Sequence, residues 1–242
     1  MKRILTMASL LALVAACVPA GAPVQRVPAS PQSGIGQTGV PPRLSTDAAA
    51  RNFVSAVARV QPLAERICRE RTRNTPCDFR IIVDNDPSKG VNAYQTVGDN
   101  GEPILGFTLP LIAEARNQDE IAFVIGHEAA HHILGHIPQT QRNAGTGAIL
   151  AGILVAAGGG DAGAIQNAQQ IGATLGARGY SQRYELQADY LGVEITERAG
   201  FDALRGAEFF NRIPDPGDSF LGSHPPNAER MNTVRAAVNA RR

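Results

Sequence analysis

The sequence predicts an α+β fold, mostly helical, in which a small sheet precedes a histidine-bearing helix. Three observations carry that prediction. Three short β-rich runs, FRIIV, VNAYQTV and ILGFTL, are separated by the turn-forming stretches DNDPSKG and GDNGEP. Longer segments on both sides repeat apolar residues at helical spacing. Four of the five histidines lie between His127 and His136, inside one of those helical segments.

The chain opens with Lys2 and Arg3, an apolar run from Ile4 to Ala16, and then Cys17. This is the pattern of an export signal, too short for a comfortable membrane span. Leu13-Val14-Ala15-Ala16-Cys17 resembles a bacterial lipobox, which predicts a signal peptide over 1–17 and lipidation of Cys17 as a membrane anchor. Val18 is not an inner-membrane retention residue under the usual lipoprotein rule, so a periplasm-facing position on the outer membrane is expected. With Cys17 lipidated, the three cysteines leave Cys68 and Cys77 as a pair for an oxidising compartment. A bridge there closes a short loop, worth roughly 2–3 kcal/mol in the chain-entropy model.

Residues 18–44 are rich in proline and glycine and nearly free of large apolar side chains, so they read as a flexible tether. Folding is expected from residue 45 to 242. Ser45 or Thr46 caps a first helix whose Phe53, Val57, Val60, Ala64 and Ile67 share one face, with Pro62 as a kink. The three strands follow, ILGFTL pairing back on its neighbour. Leu109–Ala115 reads as a short helix and Gln118–Leu134 as a longer one, stopped by Gly135 and Pro138. The Ala/Gly-rich stretch 144–180 reads as an inserted helical hairpin, packed on the domain or over its cleft, with a membrane touch left open. Helices are then expected over Ser181–Ala199, Asp202–Ile213 and from Pro225 or Pro226 onward.

The 23 basic and 22 acidic residues leave no excess charge to attract nucleic acid, and the 5% aromatic content offers little for stacking bases. The histidine cluster carries the chemistry. His127-Glu128-Ala129-Ala130-His131 fits H-E-x-x-H; on a helix, positions i and i+4 share a face, so both imidazoles can reach one tetrahedral zinc. Glu128 is then placed to take a proton from a metal-activated water and hand it to a leaving amine. His132 and His136 lie roughly 100–140° around the helix from His131 and have no carboxylate between them. They read as a packing residue and a helix-end cap.

The third ligand sets the class of peptidase. Where the metzincin pattern needs glycine and histidine, the chain has Leu134 and Ile137, which excludes that class. A deformylase-type cysteine ligand is unsupported, because Cys68 and Cys77 lie far upstream. In SQRYELQADYLGVEIT, Glu185 and Asp189 are four apart on one face, with the small Ala188 and Gly192 beside them to admit close helix approach. Glu185 can bind metal while Asp189 holds the free ring N–H of a ligand histidine, or both can belong to a solvated acidic face.

GHEAAHHILGH, then YELQAD after the Ala/Gly-rich insertion, then SHPPNAER, resemble the gluzincin metallopeptidases that include HtpX and the CAAX prenyl proteases, metallopeptidase family forty-eight. The resemblance runs from about Ser45 to Arg242. It implies a zincin (gluzincin) fold and one zinc per chain held by His127, His131 and Glu185, with Glu128 as base. It also implies that Asn92-Ala93-Tyr94 belongs to an edge strand that adds the substrate's extended backbone as one more strand. His224 and Arg230 fall at the family's His-Pro and downstream arginine positions. There they can stabilise the developing oxyanion; alternatively His224 holds the enzyme latent by occupying the open metal position, or both are structural anchors. The chain looks like an exported lipoprotein branch of the family, acting on unfolded or misassembled envelope proteins. A noncatalytic factor that holds clients on the same edge strand is the competing expectation.

Overall fold

The computed structural model describes residues 42–178, 181–212 and 227–242. Cys17 with its signal region, the tether up to residue 41, and His224 lie outside the described residues.

Helix α1 (Thr46–Arg71) starts where Ser45 accepts a hydrogen bond from the Ala48 amide, and it runs unbroken through Pro62. Its apolar stripe, Phe53, Ala56, Val60, Leu63, Ala64 and Ile67, is buried. Cys68 near its end is bonded to Cys77, with Cα atoms 5.7 Å apart. The bridge holds the start of the sheet against the helix, and Gln61 reinforces it by donating to the Phe79 carbonyl at 2.8 Å.

Strands β1 (Arg80–Asp84), β2 (Ala93–Val97) and β3 (Pro103–Thr108) form a sheet of order β1-β3-β2. β3 pairs antiparallel with β2, as hairpin chemistry requires, and also parallel with β1, which makes it the central strand. Burial explains the choice: β3 is buried at five of its six positions, whereas β1 and β2 are at best half-buried. β2 is left at the edge of the sheet. α2 (Leu109–Glu114) follows at once, capped by Thr108.

α3 (Gln118–Ile133) begins at Asn117, whose side chain accepts from the Glu120 amide, and is buried without a gap from Glu120 to Ala130. The helix ends as Gly135 takes φ 67°, a left-handed conformation natural to glycine. Pro138 is not part of that stop. It sits in the first turn of α4 (His136–Ala157), where amides have no intrahelical partner and a proline sacrifices nothing.

α4 and α5 (Ala162–Arg178) make the expected hairpin, but it starts at His136 and does not pack down on the domain. Between them the two helices bury only His136, Gly152 and Gly172, while Ile149, Leu150, Ile153, Leu154, Ile171 and Leu175 are exposed. Their own backbones approach so closely that a Cβ on Gly147, Gly172 or Gly176 would collide with a carbonyl of the facing helix. The small residues serve the hairpin's internal seam, which is why the larger ones point outward. Among the described residues, no helix is long and apolar enough to cross a membrane.

α6 (Ser181–Arg198) lies against α3, and Glu194 near its end accepts from Arg71 of α1 at 2.7 Å. The segment expected to be one helix over Asp202–Ile213 is shorter. α7 (Ala203–Ala207) tightens into a 3-10 turn over Glu208–Asn211, which sets Phe209 and Phe210 in the core. α8 (Asn227–Asn239) carries Arg230 and packs on α6.

Candidate metal centre

The site forms where α3 and α6 touch. A Cβ on Gly192 would stand 3.2 Å from the His127 amide nitrogen, and one on Gly126 would stand 3.0 Å from the Gly192 carbonyl oxygen. Glycine at both positions lets the two backbones meet, so that short side chains from both helices reach one point.

At that point the Nε2 atoms of His127 and His131 lie 3.1 Å apart. Glu185 sets Oε2 3.4 Å from His127 Nε2 and Oε1 3.3 Å from His131 Nε2. A tetrahedral ion with bonds of about 2.0–2.1 Å needs ligand atoms about 3.3–3.4 Å apart, so the three donors fit such an ion. They are a cluster able to hold a metal. The electrostatics agree. Burial opposes a charge on His127, yet hydrogen bonds to Asp189 and Glu185 outweigh it and raise its pKa to about 10. The protein groups around this spot favour a cation.

Each histidine is also held at its other nitrogen. His127 Nδ1 lies 2.9 Å from Oδ1 of Asp189, which is fully buried. Asp189 is gripped in turn by Arg230, through Nε at 2.8 Å and Nη2 at 2.7 Å. Burial works against the Asp189 charge, and Arg230 and His127 more than compensate, so its pKa stays below the usual carboxylate range. The Arg230 guanidinium stacks 3.8 Å above the Phe210 ring.

His131 Nδ1 lies 2.9 Å from His136 Nδ1, and His136 Nε2 is 3.2 Å from Gln187 Oε1. His136 is 3% exposed and stacks on Tyr184, ring centroids 4.5 Å apart at 16°. This corrects the expectation that His136 caps the end of α3: it is the first residue of α4 and touches the site. The angular estimate failed because it assumed one continuous helix, and Gly135 resets the path of the chain. Burial first, then the neighbouring His131, push the His136 pKa down to about 4. His132 does pack: its ring meets Phe79 edge-on and its Nε2 lies 2.7 Å from the Pro76 carbonyl.

Glu128 lines the adjoining cleft together with Asn92, Ala93, Leu111, Phe123 and Phe210. Asn92 is fixed by its backbone, its amide donating to Thr108 Oγ1 at 3.0 Å and its carbonyl accepting from the Thr108 amide at 3.0 Å. Along β2, Ala93 and Gln95 border the cleft around the histidines. The Tyr94 side chain turns to the other face, as the two-residue period of a strand demands. Its ring covers Gly106 and its hydroxyl donates to Asp84 at 2.7 Å, so the Tyr94 side chain ties β2 to β1 across β3.

Helical H-E-x-x-H joined by a glutamate from a second helix is the arrangement of a zinc metallopeptidase. The chain belongs to peptidase family M48, whose family profile matches residues 55–238. A Vibrio cholerae protein provisionally named beta-barrel assembly-enhancing protease is 32% identical over 159 residues, covering 63% of this chain and 31% of that protein. Escherichia coli metalloprotease LoiP is 28% identical over 172 residues, covering 68% of this chain and 64% of the relative. Yeast mitochondrial metalloendopeptidase OMA1 is 28% identical over 166 residues, covering 64% and 46%. The chain thus spans less than two thirds of the length of each of these relatives.

Proposed function

We propose that this protein is a zinc-dependent endopeptidase of the bacterial cell envelope that cuts unfolded or misassembled envelope polypeptides. The observation that carries the reading is the meeting of His127, His131 and Glu185 at tetrahedral spacing, with Glu128 in the same cleft. One zinc per chain, held by these three residues, would supply Lewis acidity enough to bring a bound water's pKa to about 7. Glu128 takes the proton of the attacking water and passes it to the amine of the departing peptide. Asp189 keeps His127 in the tautomer that leaves Nε2 free. Arg230 holds Asp189 through Nε and Nη2 and lines the cleft with Glu128; we assign it the role of positioning Asp189 on the strength of this two-pronged pair.

The edge position of β2 supports binding of an extended substrate strand; Asn92 and Tyr94 turn their backbone groups to β3, so within the Asn92-Ala93-Tyr94 segment it is Ala93 that offers backbone outward. Such pairing selects for unfolded chain rather than for sequence. The envelope setting rests on the export signal and on the relatives named as beta-barrel assembly-enhancing proteases. Within this reading, residues 1–17 are the signal peptide, Cys17 the lipid anchor in the outer membrane, 18–44 the tether, and 45–242 the peptidase domain with an insertion at 144–180.

Hydrolysis of unfolded casein tests the activity. The expected result is cleavage that chelator abolishes, zinc restores and Glu128→Gln removes; chelator-insensitive cleavage overturns the reading. If Glu128→Gln binds zinc and keeps the full envelope function in cells, the protein holds clients instead of cutting them. His224→Ala belongs in the same assay: a gain of activity indicates a latency role, a large loss a catalytic one, and no change an anchor.

A further inference from the structure

His127 and His131 are held differently at their second ring nitrogens. His127 meets a carboxylate, Asp189, whereas His131 meets a second imidazole, that of His136. Two imidazole nitrogens 2.9 Å apart form a hydrogen bond only if one carries the proton and the other accepts. The surroundings determine which. His136 Nε2 faces the Gln187 carbonyl oxygen at 3.2 Å, so the ring's single proton belongs on Nε2 and its Nδ1 is a lone pair. That lone pair can only accept from His131 Nδ1–H, which leaves His131 Nε2 unprotonated and directed at His127 Nε2 and Glu185.

We propose that His136 is a positioning residue for the metal centre, a neutral hydrogen-bond acceptor that fixes the tautomer and orientation of His131 through a relay running from Gln187 through His136 to His131. The inference rests on the zinc-site reading above. Gln187 falls between Glu185 and Asp189 on α6, so one helix supplies the third ligand and controls both histidines, His127 directly through Asp189 and His131 indirectly through Gln187. Stacking on Tyr184, also from α6, holds the His136 ring in the orientation the relay needs. The relay makes the site asymmetric. Among the described residues, the carboxylate behind a ligand histidine is Asp189, and Arg230 offsets its charge. An uncharged acceptor behind His131 therefore orients the ring without adding a further anion, which would dampen the metal's pull on a bound water.

The test compares His136→Phe, which keeps an aromatic ring against Tyr184 but removes the acceptor, with His136→Asn, whose amide oxygen can stand near the position of Nδ1. The readout is zinc affinity of the full chain, measured by competition with a chromophoric chelator, alongside thermal unfolding of the zinc-free protein. Loss of an outer partner of a metal-ligating histidine lowers affinity about 10- to 100-fold. The expected result is a loss in that range for His136→Phe with little change in unfolding temperature, and recovery of most of the affinity in His136→Asn. Long-range nitrogen-15 spectra of the zinc-loaded parent should show His131 protonated at Nδ1. Zinc affinity of His136→Phe within twofold of the parent, equal losses in both variants, or His131 protonated at Nε2 overturns the relay. His127→Ala serves as the control for the underlying reading: if it too leaves zinc affinity unchanged, the metal site itself is wrong rather than the role of His136.

Discussion

Arg230 closes a two-pronged grip on Asp189, and the same Asp189 oxygen that accepts from Arg230 Nη2 lies 2.9 Å from His127 Nδ1. Because Asp189 is fully buried, removing the guanidinium strands a carboxylate in the protein interior, a loss on the order of 3–5 kcal/mol. Arg230→Met is therefore expected to destabilise the zinc-free protein by that order in urea denaturation and to weaken zinc binding. Arg230→Lys should recover only part, since an ammonium cannot make the fork. If Arg230 acted only on the oxyanion, stability would be unchanged and kcat alone would fall.

The contact between Gly192 and the His127 backbone makes a second prediction. With a Cβ only 3.2 Å from the His127 nitrogen, a β-branched side chain at Gly192 must push α6 away from α3, and α6 carries both Glu185 and Asp189. Gly192→Val should cost about 1–3 kcal/mol of stability and lower zinc affinity with it. Gly145→Ala is the matched control. Its Cβ would meet nothing within 4 Å on a helical backbone, so about 0.5–1 kcal/mol of stabilisation is expected. Paired denaturation and zinc titration of the two variants check both statements.

Asp84 predicts a pH response on the sheet. A hydrogen bond from Lys89, then the Asp86 amide, then the Tyr94 hydroxyl lower its pKa to about 2 from an ordinary value near 3.8. The folded-state value is the depressed one, so the contribution to stability is present above about pH 4 and disappears as the pH falls through about 2. Asp84→Asn should be less stable than the parent at neutral pH, and the two should converge at the acid end of that window. Carboxyl carbon shifts of the parent give the pKa directly; a midpoint near 4 counts against the arrangement that ties Tyr94, and with it the edge strand, to β1.

The sequence made legible what depends on short-range periodicity. His127 and His131 share a face because they are four apart on one unbroken helix. Glu185 and Asp189 do so for the same reason, and Gly192 announced a close helix contact before its partner was known. What lay beyond it required a change of path or a third dimension. The helical angle that would set His136 apart from His131 does not carry across Gly135, whose left-handed conformation starts a new helix. The edge-strand pattern at Asn92-Ala93-Tyr94 does not say which side chains face the site: Ala93 and Gln95 do, and Tyr94 turns to the opposite face. Sheet order was likewise invisible, since the parallel pairing of β1 with β3 joins segments separated by an entire hairpin strand. The hairpin's outward apolar residues were the largest departure, because composition shows that a segment is apolar but not what it packs against.

That hairpin makes the last prediction. Gly172 faces the Gly147 carbonyl and the Ala151 side chain so closely that a side chain there cannot fit without parting the helices. Gly147 lies 11 residues beyond His136, roughly 16 Å along the axis of α4, so the disturbance is far from the metal centre. Nearer the base, Asn143 ties α4 to Tyr184 with a 2.8 Å hydrogen bond, and this anchor is untouched by the change. Gly172→Val should therefore open residues 144–178 to cleavage by a nonspecific protease such as proteinase K while zinc affinity stays within about twofold of the parent, a change of under roughly 0.5 kcal/mol. Mass spectrometry of the fragments locates the cuts, and chelator competition on the same sample reads the affinity. A coupled loss of zinc binding would mean that the outer hairpin supports the site mechanically. Retained zinc binding with a newly labile hairpin would establish that the two helices are held by their own glycine seam and that the peptidase body stands without them.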